Sequence, residues 1–130
     1  MKILVIEDDI YKREQITNFL DSKAISYNVT EYLNSALNYI YENTINISGI
    51  ILDLGLPIFE NDPDTYSLYR GLEVIYELDR KKINIPVLIN SNTFVGMLDE
   101  YPFVYAQRTK INNYQMLEDF VSFLTKREEQ

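Results

Sequence analysis

Short apolar runs alternate with helix-like patterns along this chain of 130 residues. Lys2–Ile6, Gly49–Leu52 and residues 85–89 are nearly continuous apolar runs, which are typical of strands buried on both faces. Two further strands are predicted over residues 26–30 and 103–107. The predicted helices cover residues 10–20, 33–42, 71–81 and 114–124, with a short, poorly periodic stretch over 92–100. The chain therefore predicts five β-α units.

This alternation predicts an α/β fold with a parallel sheet and helices on both faces. Right-handed crossovers favour the flavodoxin-like, doubly wound strand order 2-1-3-4-5. We expect residues 1–130 to form a single domain, since that length is usual for one. Ligands of such sheets bind beyond the carboxyl ends of the strands, where the order reverses between the first and third strands. The residues that follow these two strands are thus the first candidates for a site.

Composition excludes several classes of function. The formal net charge is −8, which argues against direct binding of nucleic acid or of an anionic membrane. The chain has no cysteine and no histidine, so disulfides, thiolate metal sites and histidine catalysis are excluded. No apolar run approaches the ~20 residues of a membrane span, and no signal peptide is evident. A cytoplasmic location is expected.

Acidic side chains follow both central strands of the predicted sheet. Glu7, Asp8 and Asp9 come directly after the first strand, and Asp53 follows the third. Neighbouring strands lie about 5 Å apart, so these carboxylates would repel one another unless a cation lay among them. Oxygen ligands without histidine or cysteine favour Mg²⁺. The alternative is that Asp8 and Asp9 only cap the first helix.

Four motifs in order, ILVIEDD, ILDLGLP, GLEVIYEL and IPVLINS, make the chain resemble the response-regulator receiver family over essentially its whole length. The resemblance implies that Glu7 and Asp8 are the acidic pair that holds Mg²⁺. It implies that Asp53 is the phospho-accepting aspartate and that Gly55 offers its carbonyl to the metal. Pro57 matches the proline of the family's loop.

The resemblance also assigns residues that contact the phosphoryl group. Ser91 matches the family's switch Ser/Thr, and its alternative role is to cap a following helix. The family's lysine after the fifth strand has two candidates. The spacing to Leu117 favours Lys110, whereas the spacing from Tyr105, a candidate switch aromatic, favours Arg108. We assign Lys110, because an ammonium suits a point contact to phosphate.

Two segments depart from the family pattern. Residues 59–70 form a longer connection than usual, rich in acids and aromatics. It is predicted to be either a solvated loop or a lid or docking element with part of its length ordered at the pocket rim. The interval from Ser91 to Lys110 is shorter than usual, so the helix over residues 92–100 is expected to be reduced.

The resemblance implies a stand-alone signalling domain rather than an enzyme. Its expected partners are a histidine kinase or histidine phosphotransfer protein and a downstream protein target, with the domain itself a monomer or weak homodimer. One alternative is a degenerate receiver that binds proteins without phosphorylation. A second, a Mg²⁺-dependent phosphohydrolase, needs an acid two residues after its nucleophile, and Gly55 stands there.

Overall fold

A computed structural model, which describes residues 1–108 and 114–130, contains one five-stranded parallel sheet. The strands are β1 (Lys2–Ile6), β2 (Ser26–Thr30), β3 (Gly49–Leu52), β4 (Val87–Asn90) and β5 (Val104–Arg108). Their order is β2-β1-β3-β4-β5, and every pairing is parallel. The predicted fold class and strand order are therefore confirmed.

Four α-helices lie in the described residues. They are α1 (Ile10–Ser22), α2 (Leu33–Asn43), α3 (Leu72–Arg80) and α4 (Tyr114–Glu128). Short 3-10 turns cover Thr44–Asn46, Pro63–Thr65 and Leu98–Glu100. No helix in the part of the chain described here is long and apolar enough to cross a membrane.

The sheet is covered on both faces because its strand side chains alternate between two apolar layers. Leu4 and Ile6 of β1 pack in the layer that contains α2 and α3. Ile3 and Val5 of the same strand pack in the layer that contains α1 and α4. All four side chains are fully buried, which explains the continuous apolar run at this point in the sequence.

The reduction expected over residues 92–100 is observed, and it goes further than a short helix. Of residues 92–100, all of which the structure describes, only Leu98–Glu100 are helical, and they form a 3-10 turn. The side chain of Gln107 bonds both the N–H and the C=O of Val95, so neither group is left for a helix, and Met97 is left-handed at φ 67°. The periodicity over residues 10–20 predicts Ile10 on the inward stripe with Ile16, Phe19 and Leu20, and this prediction was wrong. Ile10 is half-exposed, because the buried stripe of α1 begins at Lys12 and continues to Ile16.

Candidate functional site

The pairing of β1 with β3 places the ends of both strands at one level of the sheet. Ile6 is in register with Leu52, and the Asp53 N–H donates to the Ile6 carbonyl at 2.9 Å. The Glu7 N–H donates to the Thr30 carbonyl of β2 at 3.0 Å, which fixes the other side of the same edge. The residues that follow β1 and β3 therefore leave the sheet next to each other.

Three carboxylates meet at this edge. Ligand oxygens of Glu7, Asp8 and Asp53 lie within 4.8 Å of one another. Glu7 and Asp53 are buried, and Asp8 is half-buried. Among the described residues, the Glu7 Oε1 atom is buried without a hydrogen-bond partner. The predicted proximity of these acids is thus found in the structure, while their role as metal ligands stays a prediction.

Asp9 has the capping role that was the alternative for this part of the sequence. It is the N-cap of α1, and its side chain accepts a hydrogen bond from the Tyr11 N–H at 2.9 Å. Asp9 also donates its own N–H to Glu7 Oε2 at 3.3 Å. It therefore helps to hold Glu7 in place from outside the cluster of three acids.

Lys12 is a buried cation inside this acidic pocket. Its Nζ lies 3.3 Å from Asp53 Oδ2 and 3.6 Å from Glu7 Oε1, with its side chain 9% exposed. The sequence interpretation missed it, although a signal was present: Lys12 stands four residues before Ile16, on the stripe of α1 that faces the core. Part of the counter-charge that the acids require therefore comes from this ammonium.

Burial and mutual repulsion disfavour ionisation of the acids. Desolvation, followed by a hydrogen bond and repulsion from Asp53, raises the pKa of Glu7 to about 9. Desolvation and the Asp53 charge also raise the pKa of Asp8. The pKa of Lys12 is raised despite its desolvation, because Glu7 and Asp53 stabilise the ammonium. At neutral pH we therefore expect Glu7 to be protonated beside a Lys12–Asp53 ion pair.

Gly55 lies at the floor of the pocket under a side chain from the long connection. It is buried, and its N–H donates to Asp53 Oδ1 at 3.3 Å. A Cβ at this position would collide with the hydroxyl of Tyr66 and lie 3.0 Å from its Cζ. A larger residue here would therefore require the Tyr66 side chain to shift.

The structure describes two of the three residues considered for contact with phosphate, Ser91 and Arg108, but not Lys110. Ser91 directly follows β4 and is buried, and its hydroxyl accepts a hydrogen bond from the Thr93 N–H at 3.2 Å. Arg108 ends β5 and is buried, and its carbonyl accepts from the Ser91 N–H. Lys110, our assignment for the family's lysine, lies outside the described residues. The choice between Lys110 and Arg108 therefore stays open.

Tyr105 packs in the core layer of α4. Its ring lies 5.3 Å from that of Phe120 and 4.8 Å from that of Phe123, centroid to centroid. In a chain with 11 tyrosines, the alternative to a switch residue is a tyrosine that only packs in its strand, and this contact matches that alternative. The role of a switch aromatic stays a prediction.

Residues 59–70 are ordered at the rim of the pocket. A bridge pairs Leu56 with Ser67, and the Thr65 hydroxyl accepts from the Ile58 N–H at 2.8 Å. Partial burial, followed by the negative charges of Asp8 and Asp53, raises the pKa of Tyr66. The expectation that part of the segment packs at the rim is confirmed.

A pocket of about 230 Å³ adjoins the acidic cluster on the side of Asp8. Its walls come from the turn at Glu31 and Tyr32 and from the first half of segment 59–70, including Glu60 and Asp62. The approach to Asp8 from this side is thus acidic as well. Such a surface favours a partner that presents positive charge.

Comparisons with known proteins identify the fold. No family model matches the sequence, and no curated protein matches it. The receiver domain of Francisella response regulator 1452 superposes with a TM-score of 0.77 at 24% identity, covering 98% of each chain. Response regulator TrrA from Thermotoga maritima, in complex with Mg²⁺-BeF, gives 0.74 at 22% identity, covering 95% of this chain and 97% of TrrA. TrrA in complex with the histidine kinase ThkA gives 0.71 at the same identity and coverage.

These similarities extend over almost the whole of each chain. The sheet order and the surrounding helices match the flavodoxin-like fold of these receiver domains. The resemblance first seen in four short motifs is therefore confirmed at the level of the fold.

Proposed function

We propose that this chain, which has a receiver-domain fold, accepts a phosphoryl group on Asp53 from a histidine kinase or a histidine phosphotransfer protein. The observation that carries the proposal is the meeting of Glu7, Asp8 and Asp53 within 4.8 Å at the carboxyl edge of β1 and β3. This is the edge at which doubly wound sheets bind ligands. The complex of TrrA with a histidine kinase supports the choice of partner class.

Mg²⁺ is part of this proposal, because the donors suit it. They are oxygens only, and the buried Glu7 Oε1 atom has no hydrogen bond among the described residues. Asp8, Asp53 and the Gly55 carbonyl would hold the ion, with Glu7 acting through water. When bound, the ion would supply positive charge that offsets repulsion between the carboxylates and the incoming phosphoryl oxygens.

The side chains divide the work of transfer. A carboxylate oxygen of Asp53 forms the new bond to phosphorus, while the bond from phosphorus to the donor's imidazole nitrogen breaks and its electron pair returns to that nitrogen. The Ser91 hydroxyl donates to a phosphoryl oxygen, and Lys110 contacts the same group. Positioning and charge stabilisation then supply most of the rate.

The direct test is incubation with acetyl phosphate and Mg²⁺, followed by intact mass spectrometry. The native protein should gain one phosphoryl group, and Asp53→Asn should gain none. Asp99→Asn, an exposed aspartate in the Leu98–Glu100 turn, is the matched control and should label like the native protein. Equal labelling of native protein and Asp53→Asn would refute Asp53 as the acceptor.

The metal is tested separately by calorimetry. Mg²⁺ should bind weakly, and Asp8→Ala should abolish the binding, because it removes a carboxylate that would contact the ion directly. Unchanged affinity in Asp8→Ala would place the metal elsewhere.

The phosphorylated domain is proposed to signal by binding a downstream protein. A cytoplasmic monomer or weak homodimer would suit exchange between a kinase and such a target. Residues 59–70 stand at the pocket rim and are the part of the surface in which this chain departs most from the family pattern. They are therefore the first place to look for partner contacts.

A degenerate receiver that binds partners without phosphorylation is the second candidate. One observation favours it: Lys12 contacts Asp53 at 3.3 Å and so occupies the proposed phosphoacceptor with an ion pair. Phosphoryl transfer distinguishes the two candidates, since the degenerate receiver would bind its partner equally well as Asp53→Asn.

A further inference from the structure

Lys12 stands where a lysine is unfavourable on general grounds. Helix α1 begins at Ile10 after the Asp9 cap, so Lys12 is its third residue. The positive end of the helix dipole disfavours a cation in this turn, and burial of an ammonium adds a desolvation penalty. An apolar side chain at this inward position would avoid both effects.

The acids on the neighbouring strands offset these penalties. Lys12 Nζ contacts Asp53 Oδ2 at 3.3 Å and Glu7 Oε1 at 3.6 Å. The side chains of these two acids are 6% and 1% exposed, so water screens their interactions with the ammonium little. Lys12 therefore uses two of the carboxylates of the proposed metal site.

We propose that Lys12 is a resident counter-cation that competes with a divalent cation for the carboxyl oxygens of Asp53 and Glu7. The proposal rests on the metal site of the proposed function but is independent of phosphoryl transfer. The Lys12 ammonium and a divalent cation cannot both lie close to the same oxygens, because the two positive charges would repel each other strongly. Binding of the ion requires the four-carbon stem of Lys12 to swing its ammonium away from Asp53.

The competition also defines two states of the pocket. In one, Lys12 neutralises Asp53 and the metal-free fold is stable. In the other, the ion takes the carboxylates and the ammonium is released toward the space where a phosphoryl group on Asp53 would lie. Lys12 would thereby hold the metal affinity of the native pocket low.

Calorimetric titration of the full chain with Mg²⁺ tests this competition. Lys12→Met keeps an unbranched stem of similar length and removes the charge. We expect Mg²⁺ to bind it at least about tenfold more tightly, because a charge in contact with an ionising group shifts its equilibria by at least that factor. Lys12→Arg keeps the charge and is expected to bind Mg²⁺ no more tightly than the native protein.

Lys126→Met is the matched control for net charge. Lys126 is exposed in the last turn of α4, close to Glu128, which contacts Ser48 and the Met1 amino group at the opposite edge of the sheet. The Mg²⁺ affinity of Lys126→Met should equal that of the native protein. Equal or weaker binding by Lys12→Met, or binding by neither protein, would overturn the proposal.

Circular dichroism with EDTA and with Mg²⁺ covers the case in which Lys12→Met is unstable. A variant that unfolds in EDTA and regains its fold in Mg²⁺ supports the competition, and one that stays unfolded in both overturns it. Acetyl phosphate labelling of the same samples separates this inference from the proposed function. Tighter Mg²⁺ binding without labelling would support the counter-cation role of Lys12 and refute Asp53 as the phosphoacceptor.

Discussion

The buried carboxyl group of Glu7 makes the stability of the metal-free protein depend on pH. Its pKa rises from an ordinary value of 4.5 to about 9 in the folded chain, mainly because burial disfavours the charged form. The folded state therefore holds the proton more tightly than the unfolded chain does. The resulting stabilisation is present in full below pH 4.5 and is lost as the pH rises towards 9.

The size of the effect follows from the two pKa values. Between them, the free energy of unfolding should fall by about 1.4 kcal/mol per pH unit, or about 6 kcal/mol across the full interval. That is comparable to the whole stability of many domains, about 5–15 kcal/mol. The raised pKa of Asp8 adds a fall of the same sign, whereas Lys12, whose pKa is raised above 10.5, stays charged across this interval.

Urea unfolding in EDTA, followed by circular dichroism from pH 5 to pH 9, measures this slope. Glu7→Gln keeps a side-chain donor towards Asp53 but cannot ionise, so its stability should fall much less over the same interval. Glu42→Gln, on the exposed side of α2, is the control and should follow the native curve. Parallel curves for the native protein and Glu7→Gln would refute the assignment of the proton to Glu7.

Further predictions concern the glycines and the rim of the pocket. In Gly71→Ala, the new Cβ would lie 2.5 Å from the backbone oxygen of Asp53, just after β3. Urea unfolding should show a loss of about 1–3 kcal/mol in the free energy of unfolding. Gly96→Ala, where nothing lies within 4 Å of the new Cβ, should show no comparable loss. Tyr66→Ala should speed loss of phosphate from phosphorylated Asp53, because water would reach the acyl phosphate more freely. Tyr69→Ala should leave this rate unchanged. Equal dephosphorylation rates in the two variants would refute a shielding role for Tyr66. Replacing residues 59–70 with a four-residue loop should leave the circular dichroism spectrum intact and speed the same loss, and an unchanged rate would make the segment a plain surface loop or a docking element.

The fold could be predicted because the buried strands carry a strong signal. The bounds of β1, β2 and β3 match the sequence prediction residue for residue, and those of β4 and β5 differ by one or two positions. Sheet order then followed from the handedness of the crossovers. The extent of the reduction over residues 92–100 was not predictable, because a long-range contact from Gln107 uses the backbone of Val95. Such a contact between side chain and backbone has no periodic pattern.

The site was predictable to the extent that backbone register determines it. Glu7 and Asp53 meet because Ile6 pairs with Leu52, and sheet topology implies that pairing. Tyr66 could not be placed, because the path of segment 59–70 depends on particular hydrogen bonds such as that from the Ile58 N–H to Thr65. Its close approach to Gly55 means that a side chain at this position would require Tyr66 to shift.

Lys12 shows how a helix can alter the chemistry of acids that belong to the sheet. Along α1 the inward positions are Lys12, Ile16, Phe19 and Leu20, so the lysine occupies a place where the spacing calls for an apolar residue. A polar residue on an otherwise apolar stripe is informative because burial without a partner is unfavourable. The partner must then lie at the end of the sheet that this turn of the helix covers, and the acids after β1 and β3 are the groups found there. Glu7, Asp8, Asp53 and Lys12 therefore form one electrostatic unit, in which a helix residue supplies positive charge to acids that follow the strands.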